Sequence, residues 1–164
     1  MLIKLYLFTA REDNGYFVRE AKKIGFKYLN QLVMVKVNPP PHFNKNNWRS
    51  KFEICMYLSK GKPSTFNFLS QQYCTNIYNH VITNNKQTKH PTEKPLEFIN
   101  KLIKVSSNKG DLVLDPFMGS GTVAVSCKSL KRDFIGFEKE EGYIQMINER
   151  LSKELPSGDL NKWL

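Results

Sequence analysis

Residues Asp115 to Thr122, DPFMGSGT, join an apolar run to a glycine turn, and their types suit a small charged ligand. The preceding GDLVLD delivers the Asp115 carboxylate directly onto the turn, the way a strand hands a ligand to the start of a helix. Gly119, Gly121 and Ala124 supply G-x-G-x-x-A spacing, in which glycines let backbone approach a ligand and a small third residue lets helix pack on strand. Seventeen residues past Gly121, the run FIGFE ends in Glu138. A carboxylate closing the next strand suits the two hydroxyls of a ribose. A strand-to-helix turn without a ligand shows the same glycines, so the companions of this segment decide.

Twenty-five residues before Asp115 stands HPTEKP, His90 to Pro95, followed by LEFINKLIKV. That spacing predicts a helix with Leu96, Ile99, Leu102 and Ile103 on one face and Pro95 in its first turn. In this order and with these gaps, HPTEKP, DPFMGSGT, FIGFE and a Tyr143-containing helix resemble the S-adenosylmethionine-binding half of the amino-directed DNA methyltransferases. That family methylates the exocyclic nitrogen of adenine or cytosine. The likeness covers residues 90 to 152.

The resemblance implies S-adenosylmethionine as cofactor, and residue chemistry agrees. The methionine end carries an ammonium and a carboxylate, which need acceptors and donors. Asp115 serves the first, and backbone N-H groups of the Gly119-Ser120-Gly121 turn serve the second. Thr122 either caps the helix or touches the carboxylate; alternatively its hydroxyl only satisfies a free backbone N-H. Thr92 and Lys94 match the family segment bordering the methionine moiety, although a lysine beside a helix start is also commonly solvated. Phe117 stands where the family lines the cofactor cleft, or else is core. Glu138 would hold the ribose. His90 reads as a hydrogen-bonding residue, since methyl transfer from a sulfonium needs no metal.

At 164 residues and 40% hydrophobic content the chain can bury one domain core. No apolar run approaches the roughly 18 residues that span a membrane, and no secretion leader is visible, so a cytoplasmic, soluble protein is expected. Cys55, Cys74 and Cys127 are scattered without C-x-x-C spacing, which supports neither a disulfide framework nor a metal cluster. They are expected to be reduced and partly buried.

Charge divides the chain. Residues 1 to 89 hold 14 Lys plus Arg against 4 Asp plus Glu, a difference of +10, while residues 90 to 164 hold 11 of each. A neutral half with cofactor motifs joined to a basic half suits an enzyme acting on a polyanion, because phosphate contacts give sequence-independent affinity. Double-stranded DNA is the partner the resemblance implies. A solvated basic surface is the plainer alternative.

Within the basic half, LIKLYLFTA reads as a strand, and Tyr16, Phe17, Ala21 and Ile24 as a helix stopped by Gly25. KYLNQLVMVKV is a second strand, NPPPHFNKNNWRS breaks regular structure, and KFEICMYLSKG is a third strand. The pattern is similar to the family segment that follows its catalytic strand. Residues 62 to 89, with Phe66, Phe68, Tyr73 and Tyr78, occupy the place of the family's target-recognition region.

The family's catalytic tetrapeptide, Asp or Asn followed by Pro-Pro and an aromatic, does not occur in these 164 residues. In the family it holds the target amino group and stacks on the flipped base. Asn38-Pro39-Pro40 is followed by Pro41 and His42, and its surroundings fit the later loop, so no catalytic residue is assigned. In the family the catalytic strand lies between the strand ending at Asp115 and the strand that here opens the chain. Residues 111 to 115 would then pair directly with residues 2 to 8, or a separate polypeptide would supply the missing strand, or the chain would be unstable alone.

The expectation is therefore an α/β, doubly wound (Rossmann-like) methyltransferase fold, incomplete at its N-terminus. It comprises a strand and helix half (1–61), a short recognition-like segment (62–89), a cofactor half (90–154) and a tail (155–164). The expected function is S-adenosylmethionine-dependent DNA methylation of the restriction-modification kind, inactive in this chain alone. A non-catalytic DNA- or cofactor-binding module is the main alternative. A dinucleotide enzyme also suits G-x-G-x-x-A, although HPTEKP argues against it. An ATPase phosphate loop is excluded, as GSGT lacks the required lysine.

Overall fold

The structure, a computed structural model, describes residues 3–62, 65–82 and 93–152. Contacts divide the chain into two compact α/β units, Met1–Asn85 and Lys86–Leu164.

The first unit is a four-stranded mixed sheet. Its strands are β1 (Ile3–Phe8), β2 (Lys27–Lys36), β3 (Phe52–Lys60) and β4 (Ile77–His80), in spatial order β1-β3-β2-β4. β3 runs antiparallel to both neighbours, and β4 joins β2 in parallel. Its central position explains a sequence without polar alternation: Cys55, Met56, Tyr57, Leu58 and Ser59 are all buried, as for a strand covered on both faces. β4 was not evident from the sequence, because its four residues, Ile-Tyr-Asn-His, carry no apolar run.

Helix α1 (Asn14–Lys23) follows a short 3-10 turn and lies on this sheet. The sequence reading of its packing face requires correction. Val18 and Ala21, one turn apart, reach the core of Met56, Leu58, Leu5 and Leu7, while Tyr16, Phe17 and Ile24 are exposed. Tyr16 and Phe17 instead meet edge to face at 5.4 Å. The helix does stop as expected: Phe26 N-H donates to Ala21 O and Gly25 N-H to Lys22 O, both at 3.0 Å, a Schellman ending that folds Phe26 back onto the core.

The second unit contains α2 (Leu96–Ser106), β5 (Leu112–Asp115), α3 (Thr122–Leu130), β6 (Asp133–Gly136) and α4 (Glu141–Ser152). β5 and β6 are parallel, in register Leu112 to Asp133 through Asp115 to Gly136, so α3 is the crossover of a β-α-β unit. α2 and α3 bury Phe98, Ile99, Leu102, Ile103, Val105, Ala124, Val125 and Cys127. Pro95 occupies the N-cap of α2 and Leu96 is its first helical residue, one position later than expected.

β1 pairs with β3 and β5 with β6, in separate sheets. Cys55 and Cys127 are buried free thiols and Cys74 is partly exposed. Among the described residues no helix is long and apolar enough to cross a membrane.

Candidate cofactor site

β5 carries Asp115 to its C-terminal end, and the chain then turns through Pro116 to Gly121 before α3 begins. Backbone hydrogen bonds fix that turn. Met118 N-H donates to Phe137 O at 2.9 Å and Phe137 N-H to Asp115 O at 3.0 Å, which lace the turn to the end of β6. Gly121 N-H donates to Met118 O at 2.8 Å, and Gly121 O then accepts from Val125 N-H as the helix starts.

Gly121 sits at φ +76°, the left-handed conformation that costs side-chain-bearing residues, and a Cβ there would lie 2.8 Å from Ile147 Cγ1. Both the dihedral and the proximity of α4 therefore demand glycine. Gly136 is needed for space alone: a Cβ would fall 1.9 Å from the Met118 sulfur, which folds over the end of β6.

Glu138 closes the site from the other strand. Its Oε2 accepts from Gly119 N-H at 2.7 Å, while Oε1 accepts from Lys139 N-H at 2.9 Å and Glu140 N-H at 3.0 Å. The carboxylate thus fastens the glycine turn to β6. Three of the roughly four acceptor positions of this carboxylate are thereby used.

Asp115 is differently placed. Burial pushes its carboxyl above the ordinary range; the hydrogen bond from Phe117 N-H, at 3.1 Å, opposes that shift, and the negative charge of Glu138 adds to it. A cation placed beside such a desolvated carboxylate would relieve both the burial and the repulsion from Glu138.

The remaining expected residues divide. Ser120 and Thr122 are buried, and their hydroxyls pair with each other at 3.0 Å. Thr122 neither caps α3 nor serves a backbone N-H in that pairing, since the N-cap is Gly121 and has no side-chain cap. Phe117 is 87% exposed, which rules out the core alternative. Lys94 is partly buried just before α2, and Thr92 lies outside the described residues. Of the turn's donors, Gly119 and Gly121 N-H are already engaged, which leaves Ser120 N-H and the first N-H groups of α3 to face an anion.

Two residues missed in the sequence complete the site. Arg150 of α4 pairs through Nη2 with Glu93 Oε1 at 3.1 Å and through Nη1 with Ser120 O at 2.5 Å. A single guanidinium thereby ties Glu93, the glycine turn and α4 together. Glu93 was visible within the motif, but nothing in the sequence marked Arg150 as its partner.

A family model described as DNA methylase (N6_N4_Mtase) matches residues 8–149. The chain belongs to this DNA methylase family. Among curated relatives, the type II methyltransferase M2.LlaDCHI of Lactococcus lactis subsp. cremoris is 29% identical over 141 residues, covering 79% of this chain and 52% of the relative. M2.DpnII of Streptococcus pneumoniae is 30% identical over 142 residues, covering 79% and 53%. The chain thus spans about half the length of the curated relatives it matches. The solved complex of M1.HpyAVI with SAM is similar with TM-score 0.82 and 32% identity, over 92% of this chain and 74% of that one. The fold is therefore the α/β fold of the SAM-dependent DNA methyltransferases, as the motifs implied.

Proposed function

We propose that this chain is the cofactor-binding part of an S-adenosylmethionine-dependent DNA methyltransferase acting on the exocyclic amino group of adenine or cytosine. The observation that carries it is the pair Asp115 and Glu138, one carboxylate ending β5 and the other two residues past the end of the parallel neighbour β6, with the glycine turn bonded to Glu138. Asp115 accepts from the ammonium of the methionine end, and Glu138 accepts from a ribose hydroxyl while keeping its bond to Gly119. The N-H groups opening α3 receive the carboxylate. Phe117, projecting from the turn, covers the apolar part of the ligand, and Thr92, Lys94, Ser120 and Thr122 border the methionine moiety. The cofactor supplies an electrophilic methyl group, and the protein's task is to position it.

Double-stranded DNA is the substrate, drawn by the excess of 10 positive charges in residues 1 to 89. The base-holding Asp/Asn-Pro-Pro-aromatic segment comes from polypeptide outside these 164 residues. In its support, Leu112 and Leu114 of β5 are each 62% exposed, an unusual state for a parallel strand.

Calorimetry tests this function. S-adenosylmethionine and its demethylated product should bind the folded chain, and NAD should not. Labelled cofactor should transfer no methyl group to duplex DNA until a polypeptide carrying the tetrapeptide is added. Binding of NAD in preference to the methyl donor would overturn the assignment, and turnover by this chain alone would remove the need for the second segment.

A further inference from the structure

The fifteen residues between β2 and β3, Val37 to Lys51, contain Lys45, Arg49, Lys51 and His42 and no acidic residue. They also hold Trp48, 94% exposed and the most exposed large apolar side chain among the described residues, and Phe43, 84% exposed. Single exposed apolar residues are common and need no explanation. Two aromatics displayed on a basic, braced loop are a different matter.

The loop is tied at several points. Lys36 N-H donates to Lys51 O at 2.7 Å and Val37 N-H to His80 O at 2.8 Å, which close its base. Asn38 exchanges two hydrogen bonds with Ile82, Nδ2 donating at 2.8 Å and Oδ1 accepting at 2.7 Å. Arg49 turns inward, donating through Nε to Pro40 O at 3.0 Å and through Nη2 to Pro39 O. His42 and Asn46 are joined at 3.2 Å, and Trp48 N-H donates to Asn47 Oδ1 at 2.7 Å. The three prolines restrict the backbone further. Arg49 is therefore an internal brace, and Lys45 and Lys51 remain as the outward cations.

We infer that this loop is a DNA-engaging element in which Trp48, supported by Phe43, stacks on a nucleobase while Lys45 and Lys51 contact the adjacent phosphates. It deepens the DNA methylation proposed above, on which it rests, by naming the residues that meet the substrate. Every base presents a π face, so an aromatic platform of this kind needs no sequence preference. Phosphate contacts from the lysines would supply the salt-dependent part of the affinity. A loop held at both ends loses little conformational freedom when it stacks, which favours aromatic over flexible aliphatic contacts.

The chain has two tryptophans, Trp48 and Trp163, so the variant W163F leaves Trp48 as the only indole reporter. Titration of that full-length chain with a short DNA duplex carrying an unpaired, extrahelical base should quench its fluorescence. Heparin, a polyanion without bases, should bind and leave the emission unchanged. In fluorescence anisotropy, W48A should weaken duplex binding on the order of tenfold at fixed salt. Its log-log salt slope should be unchanged, whereas K45A and K51A should each lower the slope by about one. Duplex binding with neither quenching nor loss of affinity in W48A would overturn the inference and leave DNA as substrate. Equal quenching by heparin would also overturn it. No binding of duplex by the unaltered chain at low salt would instead overturn the choice of DNA itself, and the loop's role with it.

Discussion

Arg150 and Glu93 form an ion pair at 3.1 Å with side chains only 10% and 12% exposed, although 57 positions apart in the chain. Removing one partner of a buried pair leaves the other charge without compensation, which costs about 3 to 5 kcal/mol. Arg150 also holds Ser120 O, so R150A should both lower the unfolding midpoint and weaken S-adenosylmethionine binding at least about tenfold. R150K restores one contact at a time and should remain impaired, because a single ammonium cannot reproduce the planar fork. Adenosine, which needs mainly the Glu138 side, should bind the folded R150K chain as it binds the unaltered one. Equal loss of both ligands in calorimetry would show that Arg150 serves stability alone.

Asp115 makes a pH-dependent prediction of definite sign. Its folded-state carboxyl lies above the ordinary value of 3.8, raised chiefly by burial. Such a group's stabilising contribution is fully present below the unfolded value and is lost as pH rises through the folded one. At neutral pH the buried charge therefore works against folding, and D115N should melt higher than the unaltered chain while still accepting the Phe117 N-H. The same substitution should cost at least about tenfold in cofactor affinity by removing the ammonium's partner. Affinity in the unaltered chain should fall as pH drops through the Asp115 value, with proton release on binding in that window. A D115N chain that melts lower and binds normally would contradict this role.

At Gly121 the backbone and its neighbour make the same demand. G121A would place a methyl 2.8 Å from Ile147 Cγ1 and hold a side chain at φ +76°. The dihedral alone costs about 1 to 2 kcal/mol, and the clash adds to it. In urea denaturation, the double variant G121A/I147A should recover no more than the clash component relative to I147A alone. Full recovery would mean that the left-handed conformation is unimportant.

The motifs that carry chemistry were legible in the sequence because each combines a turn glycine with a carboxylate at a strand end, a local signature. Asp115, the glycine turn and Glu138 converge as expected, and the helix after Pro95 buries Ile99, Leu102 and Ile103. What the sequence could not show depends on contacts between segments. The partner of Glu93 lies on a helix 57 residues away, and a single arginine in an amphipathic helix has the appearance of a solvated one. On α1 the aromatic pair Tyr16 and Phe17 dominates the hydrophobic pattern, yet of the expected face only Ala21 is buried, joined by Val18 against Met56 and Leu58. β4 has no strand signal of its own, because its parallel pairing with β2, and not its composition, makes it a strand.

The exposed face of β5 and β6 gives a prediction about the segment proposed to supply the base-holding tetrapeptide. Leu112 and Leu114 alternate onto one face, and the register sets Ile135, 46% exposed, beside Leu114. Fully covering a leucine contributes about 1.5 to 3 kcal/mol, so this small patch can help to hold a partner and, left open, encourages self-association. L114K should make the isolated chain more soluble and more nearly monodisperse in light scattering. Its cofactor binding should be unchanged, because Leu114 faces away from the side of β5 that carries Asp115. When polypeptide bearing the base-holding tetrapeptide is supplied, L114K should fail to support methyl transfer where the unaltered chain succeeds. Restoration of full activity in L114K would show that the second segment docks on another surface.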